Sequence, residues 1–326
     1  MNISIIGLDM IGGALGLALG TLDDTALASG RPTITGWDRN SRAVRDARDR
    51  LQIDRAARDV AEAVHDADVV FVTGTPDEVG AVFRDIAPEL SHGTIVSDVS
   101  SVKGQTLALA QSSLPTTIDF IGGHPLVHRS GNLRDASIDF FRGAIYCLTP
   151  SPTARPTAID TLAALVEAIG AKPYYIDAAE HDAYIANTQH LPLVLSAALM
   201  ESVTRSGGWR EMQALAGEPF RLATQLTTLD PAASSAVCAN NSAALGGRID
   251  ELIQLLIELR DNLHNREQLE AIFVQARDAH QQWRAAQPNM RPGEAAFYGD
   301  TEDPTVNRGL GALFFGQRKR PNQGKK

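Results

Sequence analysis

Three short runs of this chain hold side chains able to move a proton or polarise a hydroxyl. Gly122-Gly123-His124-Pro125 follows an apolar, strand-like stretch. Its two glycines let the backbone come close to a ligand. A histidine held by a proline in a strand-end loop can take a proton from a hydroxyl near pH 7, since its unperturbed pKa is about 6.5. Asp98-Val99-Ser100-Ser101-Val102-Lys103-Gly104 closes another such stretch, at the strand end where doubly wound folds bind ligands. From spacing alone, Ser100 or Ser101 reads equally well as the N-cap of a helix. Glu180-His181-Asp182 and Gln189-His190-Leu191-Pro192 form the third cluster. His190 lies two residues before a proline in a helical pattern, where proline kinks the helix and frees carbonyls. The plainer reading is a helix with two incidental histidines. His181 and His190 are nine residues apart, and neither has a second histidine at i+3 or i+4, so no metal site is expected.

A fourth run suits a nucleotide. Gly7-Leu8-Asp9-Met10-Ile11-Gly12-Gly13 follows the first strand-like stretch and opens a helix. Gly7 would make the tight turn and Gly12 the close helix–strand contact of a dinucleotide fingerprint. The helix N-terminus would hold a pyrophosphate through its free amides and dipole. The middle glycine of the fingerprint is Asp9 here, which puts a carboxylate near the pyrophosphate. Asp38 ends the second strand-like stretch, where an acidic residue bonds the ribose hydroxyls of NAD and repels a 2′-phosphate. Arg39 beside it can tolerate that phosphate, so NADP is also compatible. An ordinary strand–turn–helix with a turn Asp is the bland alternative.

These runs need a scaffold, and the first half of the chain has the pattern of one. Residues 2–7, 33–37, 69–73, 94–97, 117–121, 144–148 and 173–176 read as strands, and 10–19, 41–51 and 157–169 as helices. The VVFVT run at 69–73 is continuously apolar, as in a strand buried on both faces. Strands alternating with helices give an α/β fold with a mostly parallel, Rossmann-like doubly wound sheet. From 178 to 287 there is no strand pattern. Residues 249–263 repeat apolar side chains at helical spacing on more than one face, so part of that surface must meet a second chain or a core. The expected division is 1–177 for dinucleotide binding, 178–287 as a helical part, and 288–326 as a flexible basic tail.

Composition bounds the function. The chain has 326 residues, 44% hydrophobic and 21% charged, with 27 glycines. That is a globular composition with length for two domains. A formal net charge of −9 argues against nucleic acid as the main partner, although residues 308–326 carry six basic residues and no acidic one. No apolar run reaches the roughly 18–20 residues of a membrane span. The N-terminus lacks the basic region and cleavage site of a signal peptide. Cys147 and Cys238 are the two cysteines, too few for a disulfide scaffold. A cytoplasmic protein acting on a small molecule is expected.

Taken in order, the runs resemble the prephenate and arogenate dehydrogenases of tyrosine biosynthesis, from about Met1 to about Asn265. The resemblance rests on the Gly7–Gly13 loop with Leu15-Gly16-Leu17-Ala18-Leu19, Asp98-x-x-Ser101-x-Lys103, Gly122-Gly123-His124-Pro125, Glu180-His181-Asp182 and His190-Leu191-Pro192. Phe220-Arg221-x-x-Thr224 and Asp230-Pro231 follow. It implies an NAD(P)-dependent oxidative decarboxylation: the substrate's C4 hydroxyl loses a proton, C4 gives up a hydride, and the ring loses CO2 and becomes aromatic. It makes His124 the group that polarises the hydroxyl and Ser101 the residue that shares the contact. It puts His190, Gln225 and Arg221 at the substrate, and Gly7, Asp9, Met10, Ile11, Gly12, Asp38, Arg39, Thr75 and Pro76 at the cofactor. The helical part becomes a dimerisation domain and the protein a homodimer.

This chain departs from the family pattern at several places. Ser-His-Leu-Pro-His reads Gln189-His190-Leu191-Pro192-Leu193, and Thr-Arg reads Thr224-Gln225. That arginine normally pairs with a substrate carboxylate, which a neutral Gln replaces poorly. The small residues after His-Pro are Leu126-Val127-His128. Arg221, Arg129 or Arg210 would have to supply the charge from elsewhere. A dehydrogenase of another small hydroxy acid, or a dimeric homologue with impaired catalysis, is the alternative reading.

Overall fold

The computed structural model describes residues 1–127 and 133–286. His128, Arg129, the 288–326 tail and its basic run lie outside the described residues. An eight-stranded sheet carries the first half. Its strands are β1 (Asn2–Ile6), β2 (Thr33–Trp37), β3 (Arg55–Ala56), β4 (Val69–Val72), β5 (Ile95–Asp98), β6 (Asp119–Pro125), β7 (Ile145–Pro150) and β8 (Lys172–Tyr175). They lie in the order β3-β2-β1-β4-β5-β6-β7-β8. All neighbours pair in parallel except β6 and β7. The helices of this half are α1 (Met10–Gly20), α2 (Ser41–Asp49), α3 (Val60–Val64), α4 (Pro76–Ile86), α5 (Lys103–Ser113) and α6 (Pro156–Ala168).

The continuous apolar run at β4 is buried along its whole length, because helices cover both faces of the sheet. Alternate residues divide between two cores. Ile3, Ile5 and Phe71 pack with Leu15, Leu19 and Leu162 on one side. Ile6, Val70 and Val72 pack with Val79, Phe83 and Ile86 on the other. Helix α1 is apolar almost all round and lies close against its surroundings. A Cβ at Gly16 would run into the Gln52 carbonyl, and one at Gly12 into the Gly7 carbonyl.

One expectation and one alternative drawn from the sequence fail here. Gly122–Pro125 is not a loop beyond a strand but the last part of β6. Pairing with β5 ends at Val96 and Phe120, and the antiparallel return of β7 carries the ladder on, from Ile121 opposite Pro150 to Pro125 opposite Tyr146. Neither Ser100 nor Ser101 caps α5. The helix starts at Lys103, and its N-cap residue Val102 offers no side-chain acceptor.

Beyond β8 the described residues are helical: α7 (Ala178–Ile185), α8 (Leu191–Thr204), α9 (Trp209–Met212), α10 (Glu218–Thr224), α11 (Pro231–Asn240), α12 (Ser242–Asp261) and α13 (Arg266–Ala285). A π turn over Ala186–His190 joins α7 to α8, with the Leu191 amide bonding the Ala186 carbonyl. Pro192 follows at once and cannot donate to the preceding turn, which accounts for the widening. The helix read at 249–263 is α12, which starts earlier and stops at Asp261. Its Ile253, Leu255, Leu256 and Ile257 are exposed, as are Phe273 and Trp283 of α13. No helix among the described residues is long and apolar enough to cross a membrane.

Candidate active site

The chain turns from one side of the sheet to the other between β1 and β4, and the crevice at their carboxyl ends is where such folds take ligands. Gly7 sits there with φ +96°, a conformation open to glycine. A Cβ at Gly7 would also strike the Thr73 hydroxyl, which is buried close to the Asp9 carboxylate. Asp38 closes β2, and its carboxylate accepts from the Leu8 amide at 2.7 Å and the Asn40 amide at 2.7 Å. Each oxygen keeps a lone pair for a ribose hydroxyl. Met10 is buried and Ile11 half-buried against the core below. Arg39 is exposed and reaches Asp85 of α4 at 3.7 Å. Across the crevice, Thr75 caps α4 in a reciprocal arrangement with Glu78, and Pro76 fills the first turn. The glycine cradle and the strand-end carboxylate fit a dinucleotide.

Asp9 modifies that cradle. It is the N-cap of α1, and its Oδ1 accepts from the Gly12 amide at 2.8 Å. One donor that an anionic ligand would use is therefore taken by the chain's own carboxylate. Desolvation pushes the Asp9 pKa up and the Asp38 charge adds a little, against the amides of Gly12 and Ile11 and the Thr73 hydroxyl. The residue as a whole is exposed at the crevice mouth, so solvent offsets part of that push.

Further along the same edge, β5 and β6 bring the polar runs together. Lys103 is fully buried, with Nζ 2.5 Å from Asp98 Oδ2 and 2.7 Å from the Gly123 carbonyl. Ser100 Oγ also donates to Asp98 Oδ2 at 2.5 Å. This lysine and aspartate clamp the strand end just before His124. His124 is buried, and its Nδ1 is 2.9 Å from His181 Nε2. His181 Nδ1 is 2.8 Å from Asp182 Oδ1. His190 Nε2 faces Ser101 Oγ at 3.5 Å, and His190 Nδ1 is 3.2 Å from Asn241 Nδ2. The π turn places His190 here, pointing inward from the start of α8.

Burial pushes the His124 pKa well below 6.5, and the neighbouring His181, Lys103 and His190 push it the same way. The neutral-range titration expected of His124 is thereby corrected: this ring stays unprotonated below the usual histidine range. Burial also lowers His190, against the pull of Asp182.

Ser101, His124 and His190 thus converge, while Arg221 turns to Glu218 of its own helix, Nε to Oε2 at 2.7 Å, on the surface. Gln225 is half-buried in the 3-10 turn after α10. Sequence reasoning gave no role to Lys103, Asp182 or Asn241. The first two stand inside runs already noticed, but their partners lie far along the chain. Asn241 had no local signal.

A nucleotide cradle at the switch point of a doubly wound sheet, with a buried histidine at the adjacent strand ends and a helical second part, defines a dinucleotide-dependent dehydrogenase. Comparison with known proteins narrows the class. The family described as "Prephenate dehydrogenase, nucleotide-binding domain" matches residues 27–175, and "Prephenate dehydrogenase, dimerization domain" matches residues 177–275. The chain belongs to the prephenate dehydrogenase family. It is 30% identical to the cyclohexadienyl dehydrogenase of Zymomonas mobilis over 264 residues, 79% of this chain and 87% of that one. The arogenate dehydrogenase structure from Synechocystis superposes with a TM-score of 0.72 at 25% identity, over 87% of this chain and all (100%) of that one. The prephenate dehydrogenase of A. aeolicus, in complex with hydroxyphenyl propionate and NAD+, superposes with a TM-score of 0.78 at 19% identity, over 87% and 98%.

Proposed function

We propose that the protein is an NAD-dependent dehydrogenase that oxidatively decarboxylates prephenate or arogenate in tyrosine biosynthesis. One observation carries the reading: a buried, neutral His124 beside the Ser101–His190 pair, on the sheet edge that also carries the nucleotide cradle. Gly7, Gly12, Asp38 and the α1 N-terminus hold the cofactor, with Met10, Ile11, Arg39, Thr75 and Pro76 around it. NAD, when bound, accepts the hydride from C4 of the substrate. His124 takes the proton of the C4 hydroxyl, and Ser101 shares that oxygen. Aromatisation supplies the driving force, so the protein's work is to position and polarise.

The substrate carboxylates are the open part of the specificity. Gln225 and Leu193 stand where the family pattern has charged or polar groups, and Arg221 already has Glu218 as partner. That observation favours a second reading, a dehydrogenase of a different small hydroxy acid. The homodimer would form through the exposed apolar faces of α12 and α13. We assign 1–177 to the nucleotide, 178–287 to dimerisation and part of the substrate site, and the protein to the cytoplasm. Calorimetric titration with NAD, followed by turnover of prephenate and of arogenate, tests the function. Absence of NAD binding at millimolar concentration ends the enzyme reading; NAD binding without turnover of either substrate favours the second.

A further inference from the structure

Asp182 stands at the meeting point of the cluster. Its Oδ1 accepts from the Lys103 amide at 2.7 Å and its Oδ2 from the Gly104 amide at 2.8 Å. These are the first two amides of α5, the helix whose own N-cap residue gives no acceptor. The missing cap arrives from α7, on the other half of the chain. Burial pushes this carboxyl up, but the His181 bond and the two amides outweigh it, and its pKa lies below the ordinary value. An ionised carboxylate only accepts hydrogen bonds.

The consequences run outward one atom at a time. His181 Nδ1, 2.8 Å from that carboxylate, must carry a hydrogen. An uncharged imidazole has one N–H; in that form His181 Nε2 is bare and accepts. His124 Nδ1, 2.9 Å away, must then be the donor. His124 Nε2 is left with a lone pair, which is what a proton acceptor needs.

A second branch leaves Asp182 through its backbone. Its main-chain carbonyl lies 2.8 Å from one side-chain atom of Asn241, which must be the amide nitrogen because a carbonyl cannot donate. The other hydrogen of that nitrogen points to His190 Nδ1 at 3.2 Å. His190 Nδ1 is therefore bare, and its hydrogen sits on Nε2, facing Ser101 Oγ.

We propose that Asp182 is a positioning residue that sets the two site histidines in opposite tautomers. Through its carboxylate and His181 it leaves His124 Nε2 as an acceptor. Through its main-chain carbonyl and Asn241 it makes His190 Nε2 a donor. Ser101, accepting from His190, then has its own hydrogen free to point at the substrate oxygen. When His124 Nε2 takes the hydroxyl proton, its Nδ1 hydrogen bonds more strongly to His181, and the carboxylate stabilises the resulting charge. This rests on the proposed role of His124 as proton acceptor.

The test is nitrogen-15 NMR of the histidine rings in the full chain at about pH 8, without substrate, with each ring assigned by single substitution. The expected result is His124 and His181 protonated on Nδ1 and His190 on Nε2. In Asp182→Ala, His124 should lose its Nδ1–H preference while His190 keeps its own, since the main-chain carbonyl remains. With substrate, kcat should fall about 10²-fold with KM little changed. A general loss of structure would disturb both rings together, so the retained His190 signal separates the two causes. His124 protonated on Nε2 in the unmodified protein overturns the proposal, even if the variant does not fold. So does a His124 signal unmoved in a folded Asp182→Ala. Correct tautomers without any turnover would instead sink the proposed function and leave this assignment standing.

Discussion

Lys103 Nζ and Asp98 Oδ2 lie 2.5 Å apart with neither side chain exposed, directly beneath the strand end that carries His124. A buried pair of this kind gives little net stability, but losing one member leaves a charge with no compensation. Lys103→Met should cost about 3–5 kcal/mol. Urea unfolding monitored by circular dichroism checks this, and a loss under about 1 kcal/mol would mean that Asp98 finds other donors or solvent.

Removing Asp9 should help the cofactor. Its carboxylate occupies the Gly12 amide at 2.8 Å and repels a pyrophosphate. Asp9→Gly should tighten NAD by about 1–1.4 kcal/mol, roughly five- to tenfold. Calorimetry decides; unchanged or weaker binding would mean that the cap on α1 matters more than the freed donor.

His124→Asn should lower kcat by about 10²–10⁴ with KM little changed. The acid limb of kcat/KM in the unmodified enzyme should fall at a pH below the usual histidine value of about 6.5, because burial holds His124 neutral. A limb at or above 6.5 would contradict a buried base, and a variant with full kcat would remove His124 from the chemistry.

Stability should follow the same groups. His124 and His190 have folded pKa values below the unfolded value of about 6.5. The unfolded chain therefore binds more protons below that pH, and stability falls as pH drops through and beneath it. Asp182 adds a second loss in more acid solution, since its folded pKa is depressed: its contribution is present above about 3.9 and disappears as pH falls through the folded value. Urea midpoints should decline from pH 7 to pH 5 and again toward pH 3. His124→Asn should flatten the first decline.

The cradle and the sheet were legible because their signals are local. The β4 run, the Gly7–Gly12 spacing and Asp38 each lie within a few residues of what they organise. His124 reads as a loop residue because the strand that extends β6 is β7, which starts only at Ile145 and pairs in the opposite sense to its predecessors. Ser100 or Ser101 reads as well as the N-cap of α5 for a similar reason. Local rules look for a cap one or two residues upstream, while the acceptor is a carboxylate on α7. Asn241 is visible only once α12 is packed against the π turn.

That borrowed cap has a consequence for quality control. Lys103 and Gly104 belong to the sheet half of the molecule, Asp182 to the helical half, and the same carboxylate fixes the proton on His181. A chain whose halves have not docked should have a frayed α5 and a His124 free to adopt either tautomer, and should be inactive. Activity therefore reports assembly directly, and a turnover assay on a refolding sample would count correctly joined molecules rather than merely compact ones.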